Sequence, residues 1–307
     1  MTLDPSDVRL ALPPDDPLAS TDWYRSLRPA EQARVGLART AASFRTGWQF
    51  ENLLQQGLLH RALYLTDGGA GRSGDSAEVV EAGPGGESGS EFRYLHHEII
   101  EESQHTLMFE EFVCRSGLSV RGMPRWLRGF TERLLRVLSR HSPVVFFAMV
   151  LGGEEPLDLI QRRTLAAGNH PLVERIMSLH VAEETRHISY ARAAIERDVA
   201  ALHPARRQTV AFFTPVALAI MVRLMLHPTH DLVAAGVPRG VLADMYRSAA
   251  GREQLADAVG GVRDLFVELD MITPASRHVW RAGGIWCAGG RRGQSNTTVR
   301  LPQGRTR

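Results

Sequence analysis

Cysteine is scarce in this chain, which contains two cysteines among 307 residues. Cys114 and Cys287 are too few to frame a disulfide-rich secreted fold or a cysteine-ligated zinc or iron–sulfur site. An excess of charge of one sign is also lacking, because 36 basic residues nearly balance 34 acidic ones and the net charge is +2. This balance gives no support for nucleic-acid binding.

Long apolar runs are equally rare. The most apolar stretch, 210–226, is short for a membrane span and contains Pro215 and Arg223, so it predicts a buried helix. The first 16 residues are acidic and proline-rich, without the basic region and apolar run of a signal peptide. We therefore expect a soluble, cytoplasmic protein that binds neither nucleic acid nor membrane.

Strand-like alternation does not persist beyond a few residues, whereas apolar residues recur at helical spacing, which predicts an all-α fold. Prolines at 29, 171 and 204 are suited to first helical turns, and Gly117 to a helix C-cap. The predicted helices are 29–65, either continuous or broken near Ser43, 91–116, 124–140, 143–167, 171–201 and 204–226, with weaker ones at 238–249, 252–271 and 275–282.

Composition divides the chain into one domain and three less regular segments. Residues 1–22 are predicted to form an extended N-terminal arm, and 286–307 a disordered tail. Residues 68–90 contain eight glycines and no aromatic residue, which predicts a flexible loop because little apolar surface is available to offset the entropy of ordering. The remainder of 23–285 is predicted to be a single helical domain.

Acids and histidines lie inside the apolar helices. Glu102 and His105 are three residues apart and share one helix face, beside Ile99 and Phe109. Burying a carboxylate and an imidazole is costly unless each is compensated. A single Glu-x-x-His pattern is common, however, and by itself is more typical of a solvated helix face.

A second Glu-x-x-His pattern changes that interpretation. Glu184 and His187 form it, and His180 lies one turn earlier on the same stripe, which Met177 and Ala191 continue. Two Glu-x-x-His helices, with one glutamate from each of two further helices, form the ligand set of dinuclear carboxylate sites in helical bundles.

The two remaining glutamates are expected on the other core helices. Glu51 lies on an apolar stripe with Phe44 and Leu58. On the third helix either Glu154 or Glu155 could face inward, and periodicity does not decide between them. Carboxylates with imidazoles favour iron or manganese, so the pattern predicts two metal ions about 3.5–4 Å apart.

The motif order, with the extra histidine in His180-x-x-x-Glu184-x-x-His187, resembles the p-aminobenzoate N-oxygenase family of non-haem di-iron oxygenases over roughly residues 40–225. The resemblance implies a ferritin-like bundle, here with additional C-terminal helices, and a centre of two iron ions, with manganese as an alternative. It implies O₂, a small organic substrate and an electron donor or reductase as partners, and oxidation of an amine nitrogen as one reaction. The implied ligands are Glu51, Glu102, His105, Glu155, His180, Glu184 and His187.

Within this resemblance, Glu155 is preferred to Glu154 because the family's third-helix glutamate is followed about ten residues later by a Leu-Ala pair, here Leu165-Ala166. Two features depart from the family pattern. The 68–90 segment separates Glu51 from Glu102 by more than expected, and Pro156 predicts a local distortion of the third helix.

Three further residues are candidates for roles around the metals or the substrate: Glu98, one turn before Glu102, Tyr190, three residues after His187, and Arg45. Several functions remain open from the ligands alone. They include hydroxylation at carbon, a ferroxidase or other iron-handling protein, a radical-generating subunit with Tyr190 as the radical, and a structural polar network. The oligomeric state is also open, with a homodimer as one alternative.

Overall fold

The computed structural model describes residues 3–66 and 87–286, which are helical throughout their regular structure and contain no β-strand. The predicted all-α class is therefore confirmed. A 3₁₀ turn at Val8–Leu10 precedes these helices: α1 Asp22–Ser26, α2 Pro29–Thr66, α3 Glu87–Ser116, α4 Arg125–His141, α5 Pro143–Ala167, α6 Pro171–Ala200, α7 Pro204–Leu226, α8 Thr229–Ala234, α9 Arg239–Arg247, α10 Ala249–Asp257, α11 Gly260–Glu268 and α12 Pro274–Ala282.

Most predicted helix boundaries agree with the structure to within a residue or two, but three predictions were wrong. Helix α3 begins at Glu87 instead of 91, so the last residues of the predicted loop are helical. The predicted helix 252–271 is divided into α10 and α11 near Val259. The short helices α1 and α8 were not predicted. Residues 67–86, which hold most of the predicted loop, lie outside the described residues, as do 287–307 of the predicted tail.

Four long helices form a ferritin-like bundle. Helix α2 packs along α3, and α5 packs along α6, in two of the most extensive helix pairs of the fold. Helix α4 crosses the outside of the bundle against α2 and α5. Helix α7 covers α5 and is covered in turn by α12. The four core helices thus present their inner faces to one another, and of the later helices α7 and α11 lie against α5.

The predicted N-terminal arm packs onto this bundle. Leu10 and Leu18 are buried. The carboxylate of Asp16 pairs with the buried guanidinium of Arg39 on α2 at 2.8 Å. The arm therefore contributes to the core, although it contains little regular structure.

Helix α7 is the most apolar element. The segment Pro204–Ala234 is long and apolar enough to cross a membrane by length and composition alone, and 56% of its most apolar window is buried. Helices in the core of a protein meet the same criteria. The interpretation of α7 as a core helix agrees with its packing against α5 and α12.

Close packing between α5 and α2 determines where along the bundle axis the residues of the site lie. Gly153 allows this approach, because a Cβ atom there would lie 1.9 Å from two ring carbons of Phe50. Helix α5 also continues through Pro156 to Ala167 without ending. The neighbours of Gly153 and Phe50 in the chain are Glu154 and Glu51, so this contact sets the separation of two acids.

We expect Gly153→Ala to lower the free energy of unfolding by about 1–3 kcal/mol, because the ring of Phe50 cannot accommodate the methyl group without a shift of the helices. Gly129→Ala in α4 is the matched control. Its Cβ would meet only the guanidinium end of Arg133 at 3.4 Å, so we expect a gain of about 0.5–1 kcal/mol from helix propensity. Urea unfolding measures both. Equal effects of the two substitutions would contradict the proposed close packing.

Candidate metal centre

The inner faces of the four core helices bring acids and histidines together in one buried cluster. Each of these side chains is at most 1% exposed. The cluster comprises Glu51 from α2, Glu102 and His105 from α3, Glu154 from α5, and His180, Glu184 and His187 from α6. Six of the seven residues in the predicted ligand set are therefore brought together.

The ligand atoms of the cluster form compact groups within which all atoms lie within 4.8 Å of one another. The groups are Glu51–His105–His180, Glu102–His105–Glu184, Glu154–His180–Glu184 and Glu98–Glu102–His187. Glu102, His105, His180 and Glu184 each occur in two groups. Of these four, only Glu102 and Glu184 have two oxygen atoms to share. These two carboxylates are thus placed as bridging ligands of a dinuclear site would be.

The histidine rings face the carboxylates with defined nitrogen atoms. Nδ1 of His187 lies 2.9 Å from Glu102, and Nδ1 of His105 lies 3.3 Å from Glu184. His180 differs because its Nε2 faces inward, 3.2 Å from Oε1 of Glu51. Its ring packs against His105 and stacks on Phe109. Each histidine therefore presents one nitrogen to the interior of the cluster.

Several of the buried polar atoms lie close to one another but form no hydrogen bond of suitable geometry within the described part of the chain. They include both carboxylate oxygens of Glu102 and of Glu154, Oε1 of Glu184 and Nδ1 of His105. Buried polar groups are normally paired, because leaving them unpaired costs free energy. Converging oxygen and imidazole atoms with unused lone pairs fit hard or borderline metal ions such as iron or manganese.

The structure does not agree with the choice of Glu155 as the ligand from the third core helix. Glu154 faces the cluster, whereas Glu155 points towards the N-terminus of α11, where its carboxylate accepts a hydrogen bond of 3.0 Å from the backbone N–H of Val262. Successive helical residues point about 100° apart, so only one of the two glutamates can face inward. The partly positive N-terminus of α11 stabilises the outward-facing carboxylate of Glu155.

Sequence reasoning missed two glutamates that contact the outer nitrogens of the cluster's histidines. Nε2 of His105 lies 2.7 Å from Glu183 of α6, and Nε2 of His187 lies 2.9 Å from Glu101 of α3. Glu101 directly precedes Glu102 of the first motif and contacts the histidine of the second. Glu183 directly precedes Glu184 of the second motif and contacts the histidine of the first. The repeated pattern Glu-Glu-x-x-His was the available signal.

We expect Glu101→Gln and Glu183→Gln each to weaken metal binding by about 10–100-fold, since outer carboxylates fix the ring orientation and basicity of histidine ligands. Competition with a chromophoric chelator measures the affinity. Glu111→Gln is the control, because Glu111 lies on α3 and pairs only with Arg115 at the surface. Unchanged affinity in both variants would contradict a positioning role.

The three additional candidates have different surroundings. Glu98 is buried and belongs to one of the groups around Glu102 and His187. The ring of Tyr190 stacks on Tyr94 with centroids 3.7 Å apart, and its hydroxyl has no hydrogen-bonding partner in the described residues. The third candidate, Arg45, is not brought to the cluster, because its guanidinium lies over the ring of Trp48.

Without metal, protons balance the charge of the cluster. Burial raises the pKa of Glu51 to about 7, and burial together with the neighbouring carboxylates raises that of Glu154 well above its usual range. Burial by itself lowers the pKa of His105 and of His187. The adjoining carboxylates of Glu102 and Glu184 outweigh it and raise these pKa values to about 11 and about 12.

These shifts predict the pH dependence of the metal-free protein. The stabilisation due to the raised pKa of Glu51 is complete below 4.5, the usual value, and is lost as pH rises through about 7. The stabilisation due to the raised pKa of His105 is complete below pH 6.5, the usual pKa, and is lost as pH rises towards about 11. Stability should therefore fall as pH rises from about 5 to about 9. Glu184 acts in the opposite sense. Burial raises its pKa, but His180 and the other histidines outweigh burial and lower it. Its contribution to stability is therefore lost only in acid.

Metal ions replace these protons, so metal binding should strengthen with pH. The difference in melting temperature between metal-loaded and metal-free protein should widen over the same pH range. Differential scanning fluorimetry with and without Mn²⁺ measures this difference. A constant difference would contradict the exchange of protons for metal.

Comparison with known proteins agrees with this geometry. The sequence profile of the family described as p-aminobenzoate N-oxygenase AurF matches residues 2–270. Two proteins described as uncharacterized, MT0908 of Mycobacterium tuberculosis (strain CDC 1551 / Oshkosh) and Mb0909 of Mycobacterium bovis (strain ATCC BAA-935 / AF2122/97), are each 32% identical over 280 residues. The alignments cover 90% of this chain and 76% of each relative. No solved structure gives a significant match.

Proposed function

Because the chain belongs to the p-aminobenzoate N-oxygenase AurF family, we propose that it is a non-haem di-iron oxygenase that uses O₂ to oxidise a small organic substrate. We further propose an amine nitrogen as the position oxidised. The reaction also requires electrons, so we include a reductase or another electron donor among its partners. The observation that carries this proposal is the buried cluster of acids and histidines with unpaired oxygen and nitrogen atoms.

We assign seven ligands to the two metal ions: Glu51, Glu102, His105, Glu154, His180, Glu184 and His187. This set keeps six residues of the sequence prediction and replaces Glu155 by Glu154. Glu102 and Glu184 would bridge the ions, because each has an oxygen in two of the compact groups. Oxygen and imidazole donors suit iron, with manganese as the alternative.

The protein's own part in this chemistry is to hold and shield the centre. Two iron ions, when bound, supply the electrons and coordination positions with which O₂ is activated. Glu101 and Glu183 hold the rings of His187 and His105 in orientation through their outer nitrogens. Complete burial of the cluster excludes bulk water, which protects reactive oxygen species from unproductive loss.

The test is an aerobic reaction of the iron-loaded protein with isotopically labelled O₂, a chemical reductant and a panel of arylamines and aliphatic compounds. Mass spectrometry should find label in the product, and on nitrogen if the amine proposal is right. Metal-free protein is the control. Label on carbon would leave the oxygenase proposal standing and replace N-oxygenation by hydroxylation.

Oxidation of excess Fe²⁺ without labelled product from any compound would favour a ferroxidase instead. In that case many irons per chain should accumulate, whereas an oxygenase retains about two. The ratio of bound iron to protein after aerobic loading therefore distinguishes the two functions.

A further inference from the structure

We infer that Glu98 is an eighth protein ligand of the centre, donated to the metal position bounded by Glu102 and His187. This inference rests on the proposed metal centre and extends it beyond the seven ligands assigned above. Its basis is the position of a buried carboxylate that lies beside Glu102 and His187 and pairs with no arginine of the described residues.

The geometry places Glu98 on the ligand stripe of α3. It lies one turn before Glu102, so the two side chains project from the same face. It is 2% exposed. One of its oxygens lies within 4.8 Å of ligand atoms of both Glu102 and His187, in a compact group of three. A metal ion could therefore be held between these three residues.

One oxygen of the Glu98 carboxylate lacks a partner in the described residues. Its Oε2 accepts no hydrogen bond, and it forms no ion pair with an arginine of the described residues. The chain has no lysine at all. Two partly buried acids outside the cluster differ, since Asp16 pairs with Arg39 and Glu91 pairs with Arg61.

Burying a carboxylate without a partner is strongly unfavourable unless it is protonated or bound to a cation. Protonation alone would leave Oε2 beside the ligand atoms with no function in the fold. Coordination of a metal ion satisfies both the charge and the unused lone pairs. It also explains why the carboxylate lies on the ligand stripe.

An eighth ligand adds a donor at the end of the site that His187 occupies. Beyond the four glutamates and two histidines typical of such bundles, His180 adds a nitrogen near Glu51 and Glu154, and Glu98 adds an oxygen near His187. Five carboxylates carry one negative charge more than two divalent ions can balance. The set therefore suits a centre whose positive charge increases when the metals are oxidised.

The test compares Glu98→Gln with Glu155→Gln, a partly buried glutamate on a core helix whose carboxylate accepts a hydrogen bond from the backbone of α11. Anaerobic titration with Mn²⁺, followed by calorimetry, measures two binding constants per chain. In Glu98→Gln one of them should weaken by more than about 100-fold, beyond the range of residues that only orient a ligand, and the other should not change. Both should stay unchanged in Glu155→Gln.

Thermal unfolding of the metal-free proteins separates a ligand from a structural acid. Glu98→Gln should melt at or above the wild-type temperature, because an amide replaces a poorly compensated carboxylate. Glu155→Gln should melt at or slightly below the wild-type temperature, because its amide oxygen still accepts from the backbone N–H of Val262 but is the weaker acceptor. A lower melting temperature for Glu98→Gln with both metal affinities unchanged would assign Glu98 to the fold and overturn the inference.

Glu98→Asp provides a second variant in case the amide is not tolerated. It keeps the charge but shortens the side chain, so it should also weaken one metal position. Wild-type affinities in either folded variant would overturn the inference. If wild-type protein binds no metal, it is the proposed metal centre that fails.

Discussion

Glu102→Ala/Glu184→Ala protein, loaded anaerobically with Fe²⁺ and desalted, should contain almost no iron, whereas the wild-type protein should contain about two per chain. The two substitutions remove the only cluster carboxylates that belong to two compact groups each. Without them neither metal position keeps enough anionic donors to displace the hydration shell of Fe²⁺. Elemental analysis measures the stoichiometry directly.

The matched control is Glu110→Ala/Glu111→Ala, which removes two glutamates of α3 that bond to Cys114 and Arg115 instead of the cluster. It should bind two irons. Circular dichroism should show helical content near the wild-type value in both double variants. Two irons in a folded Glu102→Ala/Glu184→Ala protein would refute the assignment of these residues.

His180→Ala should retain about two irons yet lose substrate oxidation by roughly 100-fold or more, beyond the range typical of residues that only support a ligand. Six assigned ligands remain in this variant, which explains the retained metal. The inward Nε2 of His180, 3.2 Å from Glu51, is lost. The variant therefore lacks the nitrogen donor that distinguishes this centre from bundles with two histidine ligands.

Iron analysis, the absorption spectrum of the loaded protein and the yield of labelled product are the three measurements. His97→Ala, at an exposed position of α3, is the control and should behave as wild type. Wild-type turnover and spectrum in His180→Ala would mean that this histidine is structural. A plain ferritin-like oxidase would then describe the protein better than an N-oxygenase.

The four core helices and most of the cluster were predictable because each depends on periodicity within a single helix. Glu102, Glu184 and their histidines recur at three and four residues within apolar stripes, which orient them inward whatever the neighbouring helix contributes. Prolines and Gly117 marked the helix ends for the same local reason. Helix α5 has the predicted bounds, Pro143–Ala167.

Contacts between helices could not be predicted in the same way. Glu154 and Glu155 are both surrounded by apolar residues, and the choice between them depends on α11, which is more than 100 residues away along the chain. The contacts of Glu101 with His187 and of Glu183 with His105 likewise join α3 and α6. Periodicity within one helix contains no information about such pairs.

The adjacency of Glu154 and Glu155 has a consequence for protein engineering. A single turn of α5 directs one carboxylate to the metal cluster and the next to the backbone of α11, so a movement of α11 would rotate the turn that carries a ligand. We therefore expect that a minimal metal-binding unit ending after the four-helix bundle at Ala200 would lose this support of α5. A unit that keeps this support must extend through Glu268 at the end of α11, close to residue 270, where the match to the family also ends.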